Sequence, residues 1–510
     1  MKQYLGIEFG STRIKAVAVD DRLAPVQSGD YTWESTLHNG IWSYALEEAI
    51  AGMKAALRPI QDRESIASVG ISGMMHGYLA FDQNWNLLTP FRTWRNTITG
   101  EAATALSAAL DINIPQRWSI AHLYQALLNK EPHTAQVAHI TTLAGWIHFL
   151  LTGENVLGVG EASGVFPIDS AGGQYDPQRL AIADKLCKAQ GARFDLIDLL
   201  PRVLPAGAEA GRLSAQGAAL LEHMLPEGIP FAPPEGDAGT GMVATNAVAA
   251  RTGNVSAGTS IFAMVVLEKP LSKLYEEIDM VCTPSGKPVA MVHCINCSSD
   301  ANAWVALFGE VAQLFGAAPD KGELFRKLYE HSLQGDSDCG GVLLCNYLAG
   351  EHISHMENGV PLVARRQNAS FSLANFFRAQ LYSSIATLKI GMEILEQEQV
   401  AIDSLTGHGG LFKTPGVAQQ YLADACNTKI NVMETAGEGG PYGMALLAAY
   451  LLKKSPSESL EDFLNRYVFA SAKISALAPD PKGRAGLLRY MEGFKQLLRV
   501  ERSAVDALCD

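Results

Sequence analysis

At 510 residues the chain is too long for one ordinary hydrophobic core, and its length implies two domains. Apolar residues make up 48% and charged residues 18%, with no low-complexity tract, which excludes a disordered chain. A net charge of −13 with dispersed Lys and Arg excludes nucleic acid as the main partner and leaves a small bound anion open.

The N-terminus reads as strand from Tyr4, with no charged stretch leading into an apolar segment and a small-residue cleavage site. No segment offers the roughly 18 uninterrupted apolar residues that a spanning helix needs. The expectation is a cytoplasmic protein outside the membrane. Leu5, Ile7 and Phe9 alternate with polar neighbours, and Ile14, Ala16 and Ala18 resume the alternation after "GST". This predicts a hairpin whose tip, Gly10, Ser11 and Thr12, offers free amides and hydroxyls suited to phosphate; a solvated turn is the bland alternative.

Farther along, Ser43 to Leu57 is an amphipathic stretch, and "SIASVGISG" is a strand ending at Gly73. Met75 and His76 then lie at the carboxyl end of that strand, where open α/β sheets bind ligands, although a structural histidine would look the same. "TWRNT" brings Trp94 and Asn96, an aromatic face beside polar donors as sugar sites use, or else a surface loop. Helical segments follow around Ile120–Leu128 and Thr142–Leu151.

"PPEGDAGTGM" puts Asp237 in a turn close to a helix start, where it could accept a hydroxyl proton or simply cap the helix. The small-residue run "GMVATNAVAART" reads as a helix leading between two lobes, residues 1–246 and 247–510, with the boundary near Ala247. Roughly 250 residues after the first hairpin a second repeats its pattern, with Ala257, Gly258, Thr259 and Ser260 between two strands. Duplicated lobes, each offering a phosphate-gripping turn to a shared cleft, would explain the repetition.

Eight widely spaced cysteines indicate reduced thiols; Cys294 and Cys297 in "HCINCSSD" lack the further ligands of a zinc site and read as small buried thiols near a strand end. A long helix is expected from Ser372 to Glu398, capped by Ser370 or Ser372. In "GHGGLFKTPGVAQQYLAD", Gly407, Gly409 and Gly410 close a strand before a helix opened by Pro415, so that a flat ring or phosphate can approach the backbone. A further second-lobe helix spans Gly440 to Leu452, with Gly443 serving close packing. Neither a dinucleotide fingerprint nor a P-loop occurs.

In order, "GIEFGSTRIKAV", "SGMMHG", "EGDAG", "SAGTS", "NYLAGE" and "GHGGLFKTPGVAQQYLAD" resemble the FGGY family of carbohydrate kinases nearly end to end, "SGMMHG" being similar to the sugar-contacting motif of its xylulokinases. The resemblance implies an α/β protein of two ribonuclease-H-like lobes, of the actin, Hsp70 and hexokinase superfamily, with ATP and sugar in the cleft. It implies that Asp237 is the general base; that Met75, His76, Trp94, Asn96 and Asp237 line the sugar; and that Gly10, Ser11, Thr12, Lys15, Gly258, Thr259, Ser260, Gly409 and Gly410 hold ATP. Glu8 stands where the family has Asp, which implies a Mg²⁺ contact through water rather than direct ligation. After "NYLAGE" the usual R-T-P is replaced by His352, Ile353 and Ser354. Homodimers are common in the family, and nothing in the sequence marks an interface. The expected activity is ATP-dependent phosphorylation of a small ketose, xylulose or a related pentulose; the alternatives are a sugar- or nucleotide-binding regulator on the same fold and an actin-like ATPase.

Overall fold

The computed structural model describes residues 2–169, 171–433 and 439–509. In the first lobe, β1 (Gln3–Phe9), β2 (Arg13–Val19) and β3 (Pro25–Thr32) form an antiparallel meander. Helix α1 (Leu46–Leu57) precedes β4 (Ile66–Gly73), which lies parallel to β1. Helices α2 (Ser119–Leu128), α3 (Leu143–Thr152) and the short α4 (Val159–Ala162) come before β5 (Glu235–Gly236), which lies parallel to β4. The sheet order is therefore β5-β4-β1-β2-β3, and α5 (Asp237–Ala244) springs directly from its edge.

The second lobe repeats this plan. Strands β6 (Thr252–Ala257), β7 (Ile261–Val266), β8 (Asp279–Cys282) and β9 (Pro288–Cys294) are joined antiparallel, with β8 outermost. Helix α6 (Ser299–Leu314) and α7 (Leu373–Gln397), capped by Ser372 at Asn375 N, lead to β10 (Ser404–His408), parallel to β6. Then come α8 (Val417–Cys426), β11 (Ile430–Met433), α9 (Gly439–Lys453), β12 (Ile474–Leu477) and α10 (Pro481–Leu508). The order β8-β9-β7-β6-β10-β11-β12 contains β9-β7-β6-β10-β11, the arrangement of the first sheet, with one strand added at each edge. The repeated hairpins of the sequence are thus the corresponding β1–β2 and β6–β7 pairs of two related lobes.

Three sequence expectations are corrected. Helix α5 starts at Asp237 and ends at Ala244, so "GMVATNAVAART" is mostly the turn that follows it, with Asn246 at φ +53°. Helix α8 begins after Gly416, not at Pro415, because Gly416 at φ +80° makes the N-terminal turn. The Gly440–Leu452 helix belongs spatially to the first lobe: α9 lies across β1 and β4 and against α5. Its apolar residues are buried around its circumference, which requires cover on every side that one sheet cannot give.

Glycines set how closely α9 can lie. A methyl group at Gly6 would stand 2.1 Å from Pro441 O, one at Gly70 2.3 Å from Met444 Cε, and one at Gly443 2.0 Å from Thr240 O. Ser68 Oγ also donates to Ala448 O at 2.6 Å. On the other sheet face α1 covers β2 and β3, with Leu5, Ile7, Phe9 and Ile14 in that core. Met264, Val266, Val281, Val289 and Met291 of the second lobe join a core that also holds residues of the first-lobe helices and strands and of α9, so the lobes share buried apolar surface. Among the described residues no helix is long and apolar enough to cross a membrane.

Gly443→Ala places its methyl on a backbone carbonyl that cannot swing aside. The expected result is a loss of about 2–3 kcal/mol in chemical denaturation, whereas an unchanged midpoint would show that α9 can shift away from α5.

Candidate active site

Both hairpin turns have their carbonyl oxygens tied down from behind. In the first, Gly10 N donates to Arg13 O at 2.9 Å, Trp33 Nε1 to Gly10 O at 2.7 Å, Tyr44 OH to Ser11 O at 2.6 Å and Trp33 N to Thr12 O at 3.2 Å. In the second, Gly258 N donates to Ser260 O at 2.8 Å, Cys297 N to Thr259 O at 3.0 Å, and Ser298 N and Oγ to Gly258 O at 3.2 and 2.6 Å. Thr12 and Thr259 are exposed. Carbonyls fixed away from the tip leave hydroxyls and amides to face an anion.

Cys294 and Cys297 are buried, free thiols, Cys294 at the end of β9. Among the described residues no group of His, Cys, Asp and Glu is arranged to hold a metal. The segment's visible work is to support the second turn through Cys297 N.

Asp237 is the first residue of α5, with Gly236 at the N-cap. Its Oδ1 accepts from Met75 N at 3.0 Å and Ala238 N at 2.9 Å, and burial raises its pKa against the pull of those amides. Oδ2 takes no hydrogen bond from another described residue. A methyl on Gly241, farther along α5, would lie 3.7 Å from Asn254 Nδ2 on β6, which places the helix beside the second hairpin as well.

Glu8 lies opposite Lys15 in the β1–β2 register. Its Oε2 is buried without a hydrogen-bond partner among the described residues, above Gly440, where a methyl would be 1.5 Å from that oxygen. Burial first and the Asp237 charge second raise the Glu8 pKa to about 8, while Lys15 opposes them. A buried carboxylate oxygen without a hydrogen-bond partner, near a second carboxylate, is the donor set that a hard divalent cation favours.

At the expected sugar face, Met75 and His76 are buried, 6% and 4% exposed, and His76 has φ +71°. His76 Nδ1 faces Gly164 O at 3.2 Å, which leaves Nε2 without a partner among the described residues. Trp94 Nε1 donates to Ser11 Oγ at 3.3 Å and so joins the expected sugar face to the first turn. Asn96 Oδ1 accepts from Trp42 N at 2.7 Å, while Nδ2 donates to Trp42 O at 2.8 Å and Thr93 O at 2.9 Å. With both ends of its amide taken by backbone, Asn96 shapes the loop that carries Trp94.

Gly409, at φ +100°, passes so close to β6 that a methyl would lie 2.4 Å from Ala257 O. Gly410 has nothing within 4 Å of its open side. One glycine therefore brings the loop to the second turn, and the other leaves room for a flat ring.

Several groups escaped the sequence reading. Glu235 and Glu161 are 1% and 0% exposed, and Glu235 accepts from Gly160 N at 3.3 Å and Glu161 N at 2.9 Å. Burial raises the Glu235 pKa to about 8 and pushes that of Glu161 well up. Glu161 Oε2 lies against Gly236, where a methyl would be 2.5 Å away. Between the lobes, Arg117 forms an ion pair with Asp279, and Asn113 Nδ2 meets Asp279 Oδ1 at 3.0 Å and Ile278 O at 3.2 Å. Glu161 and Arg117 lie far in sequence from the groups they meet, and no local motif marks them.

Family models of the FGGY carbohydrate kinases match residues 3–244 for the N-terminal domain and 253–452 for the C-terminal domain. A xylulose kinase of Haemophilus influenzae is 23% identical over 465 residues, covering 86% of this chain and 89% of the relative. Among solved structures, a ligand-bound xylulose kinase from Lactobacillus acidophilus superposes with a TM-score of 0.81 at 15% identity, covering 100% of this chain and 99% of that one. A gluconate kinase from the same organism gives 0.80 at 16% identity, covering 99% of each chain.

Because the Glu235 pKa is raised in the folded chain, its proton is held more tightly folded than unfolded. Its contribution to stability is full below the unfolded pKa of about 4.3 and is lost as pH rises through about 8. Glu235→Gln is expected to flatten the fall in denaturation midpoint between pH 5 and pH 8. Parallel pH profiles for the two proteins would contradict this assignment.

Proposed function

Because the chain belongs to the FGGY family of carbohydrate kinases, we propose that it transfers the γ-phosphoryl group of ATP to a terminal hydroxyl of a small ketose, xylulose or a related pentulose, with Asp237 as base. The observation that carries the proposal is the Asp237 carboxyl, oriented by two amides on Oδ1 and open at Oδ2. Burial raises its pKa, so it is a better proton acceptor than an exposed aspartate.

In the proposed reaction Oδ2 takes the hydroxyl proton while the sugar oxygen forms its bond to the γ-phosphorus. The bond from that phosphorus to the β–γ bridging oxygen breaks, and ADP leaves with the electron pair. Ser11, Thr12, Thr259 and Ser260, with the amides of their turns, hold the phosphate oxygens, and Lys15 adds positive charge. Gly409 and Gly410 give the adenosine its approach to the backbone. Trp94 offers the sugar an apolar face, while Met75 holds Asp237 through its amide. Glu8 would hold Mg²⁺ through an ordered water, and that ion would supply charge neutralisation on the phosphates.

The test is ADP release by the purified protein with Mg-ATP across ketoses, aldoses and polyols. A ketose is expected to stimulate turnover, and Asp237→Ala to lower kcat by about 10²–10⁴ while nucleotide binding is kept. If no sugar stimulates ADP release while sugars still raise the melting temperature, the regulator reading replaces this one.

A further inference from the structure

Asp237 is joined through its carboxyl to Met75 N, and the next residue, His76, carries the site away from the base. The His76 ring stacks on Trp118 with centroids 6.2 Å apart, and its electrostatic neighbour is Arg117. Across the cleft, His293 at the end of β9 stacks on His352 with centroids 6.3 Å apart. Arg117, His352 and His76 all lie close enough to His293 to disfavour its charged form. Three imidazoles, one from the first lobe and two from the second, thus gather around one guanidinium beyond the catalytic carboxyl.

Their hydrogen-bonding capacity is largely unused. His76 Nε2 and both ring nitrogens of His293 have no partner among the described residues. His352 Nδ1 comes only to 3.6 Å from Glu351 Oε1. Asp279, with a side chain 4% exposed, already takes up the Arg117 charge, and Glu351 and Glu277 lie beside His352. Burial disfavours the charged form of all three imidazoles. A neutral imidazole presents one donor and one acceptor, which are the two functions of a hydroxyl.

We propose that His293 and His352, with His76, determine specificity by receiving the hydroxyls at the end of the substrate away from Asp237, and that the substrate is a neutral ketose of more than three carbons. The inference rests on the kinase reading of the same cleft. A three-carbon polyol with one hydroxyl at Asp237 has only two others to offer, fewer than a ketose of five or six carbons brings to the second-lobe pair. A sugar acid would bring a carboxylate to a place where the one fixed cation is already paired. The recognition surface is complete only with the lobes together, as Arg117–Asp279 and Cys282 N donating to Ser163 Oγ at 2.9 Å hold them.

The experiment measures kcat/KM for D-xylulose, D-fructose, glycerol and D-gluconate with wild type, His293→Ala, His352→Ala and His352→Asn, each variant checked for an unchanged melting temperature and ATP affinity. The alanine variants are expected to lose about tenfold on the preferred ketose and less than about twofold on glycerol, and His352→Asn, which keeps a donor and an acceptor, to recover part of the loss. Equal losses on ketose and glycerol would overturn the inference, as would a wild type that prefers gluconate to both ketoses. Should either alanine variant melt early, His293→Gln and His352→Asn alone decide by the same ketose-to-glycerol ratio. If none of the four compounds stimulates ADP release by wild type, it is the kinase reading that fails, which a selective or unselective variant effect cannot mimic.

Discussion

The contact on which the site depends is the near-touching of α9 and the first sheet. Gly6 lets β1 approach Pro441 O, Gly70 makes room for the Met444 side chain, and Gly443 sets the same helix against Thr240 O of α5, each at a distance that a single methyl would block. The same helix start brings Gly440 under the Glu8 carboxylate and lies against α5, which begins with Asp237. The position of one helix therefore fixes the spacing of two carboxylates from different strand ends. Close packing of this kind transmits displacement because interiors have little free volume to absorb it.

Around that contact the protein concentrates buried acid. Glu8, Glu161, Glu235 and Asp237 lie near one another, and each has its pKa raised by burial. Such grouping is unfavourable for folding alone, since each charge must be desolvated beside others of its sign. It fits a cleft whose ligand brings phosphates with their counter-ion and whose base must accept a proton near neutral pH. The two turns complete the arrangement by a different route: side chains and backbone from Trp33, Tyr44, Cys297 and Ser298 hold turn carbonyls in place, so the hydroxyl tips need no stabilising contact of their own.

What was legible in the sequence was local. The alternation on either side of Gly10 and of Gly258 gave both hairpins, because strand periodicity and a glycine-hydroxyl turn are written in consecutive residues. Ser372 was readable as a cap for the same reason. Asp237 was found through the short glycine-rich run around it. The type of Asn96 suits a sugar, and only the fold shows that Trp42 backbone occupies its amide. The destination of α9 was also hidden, since a helix apolar on all sides declares burial without saying against which sheet. His293 and His352 sit in stretches singled out for other reasons, Arg117 in none, and their meeting is a product of lobe apposition.

The return of α9 to the first lobe also orders events during synthesis. The strands it covers, β1 and β4, leave the ribosome within the first 73 residues, but their cover arrives only with residues 439–453. For most of translation one face of the first sheet is an apolar groove floored by Gly6 and Gly70, awaiting its last layer. Completing the first lobe therefore requires residues 439–453, so strictly sequential, domain-by-domain folding would leave that groove uncovered.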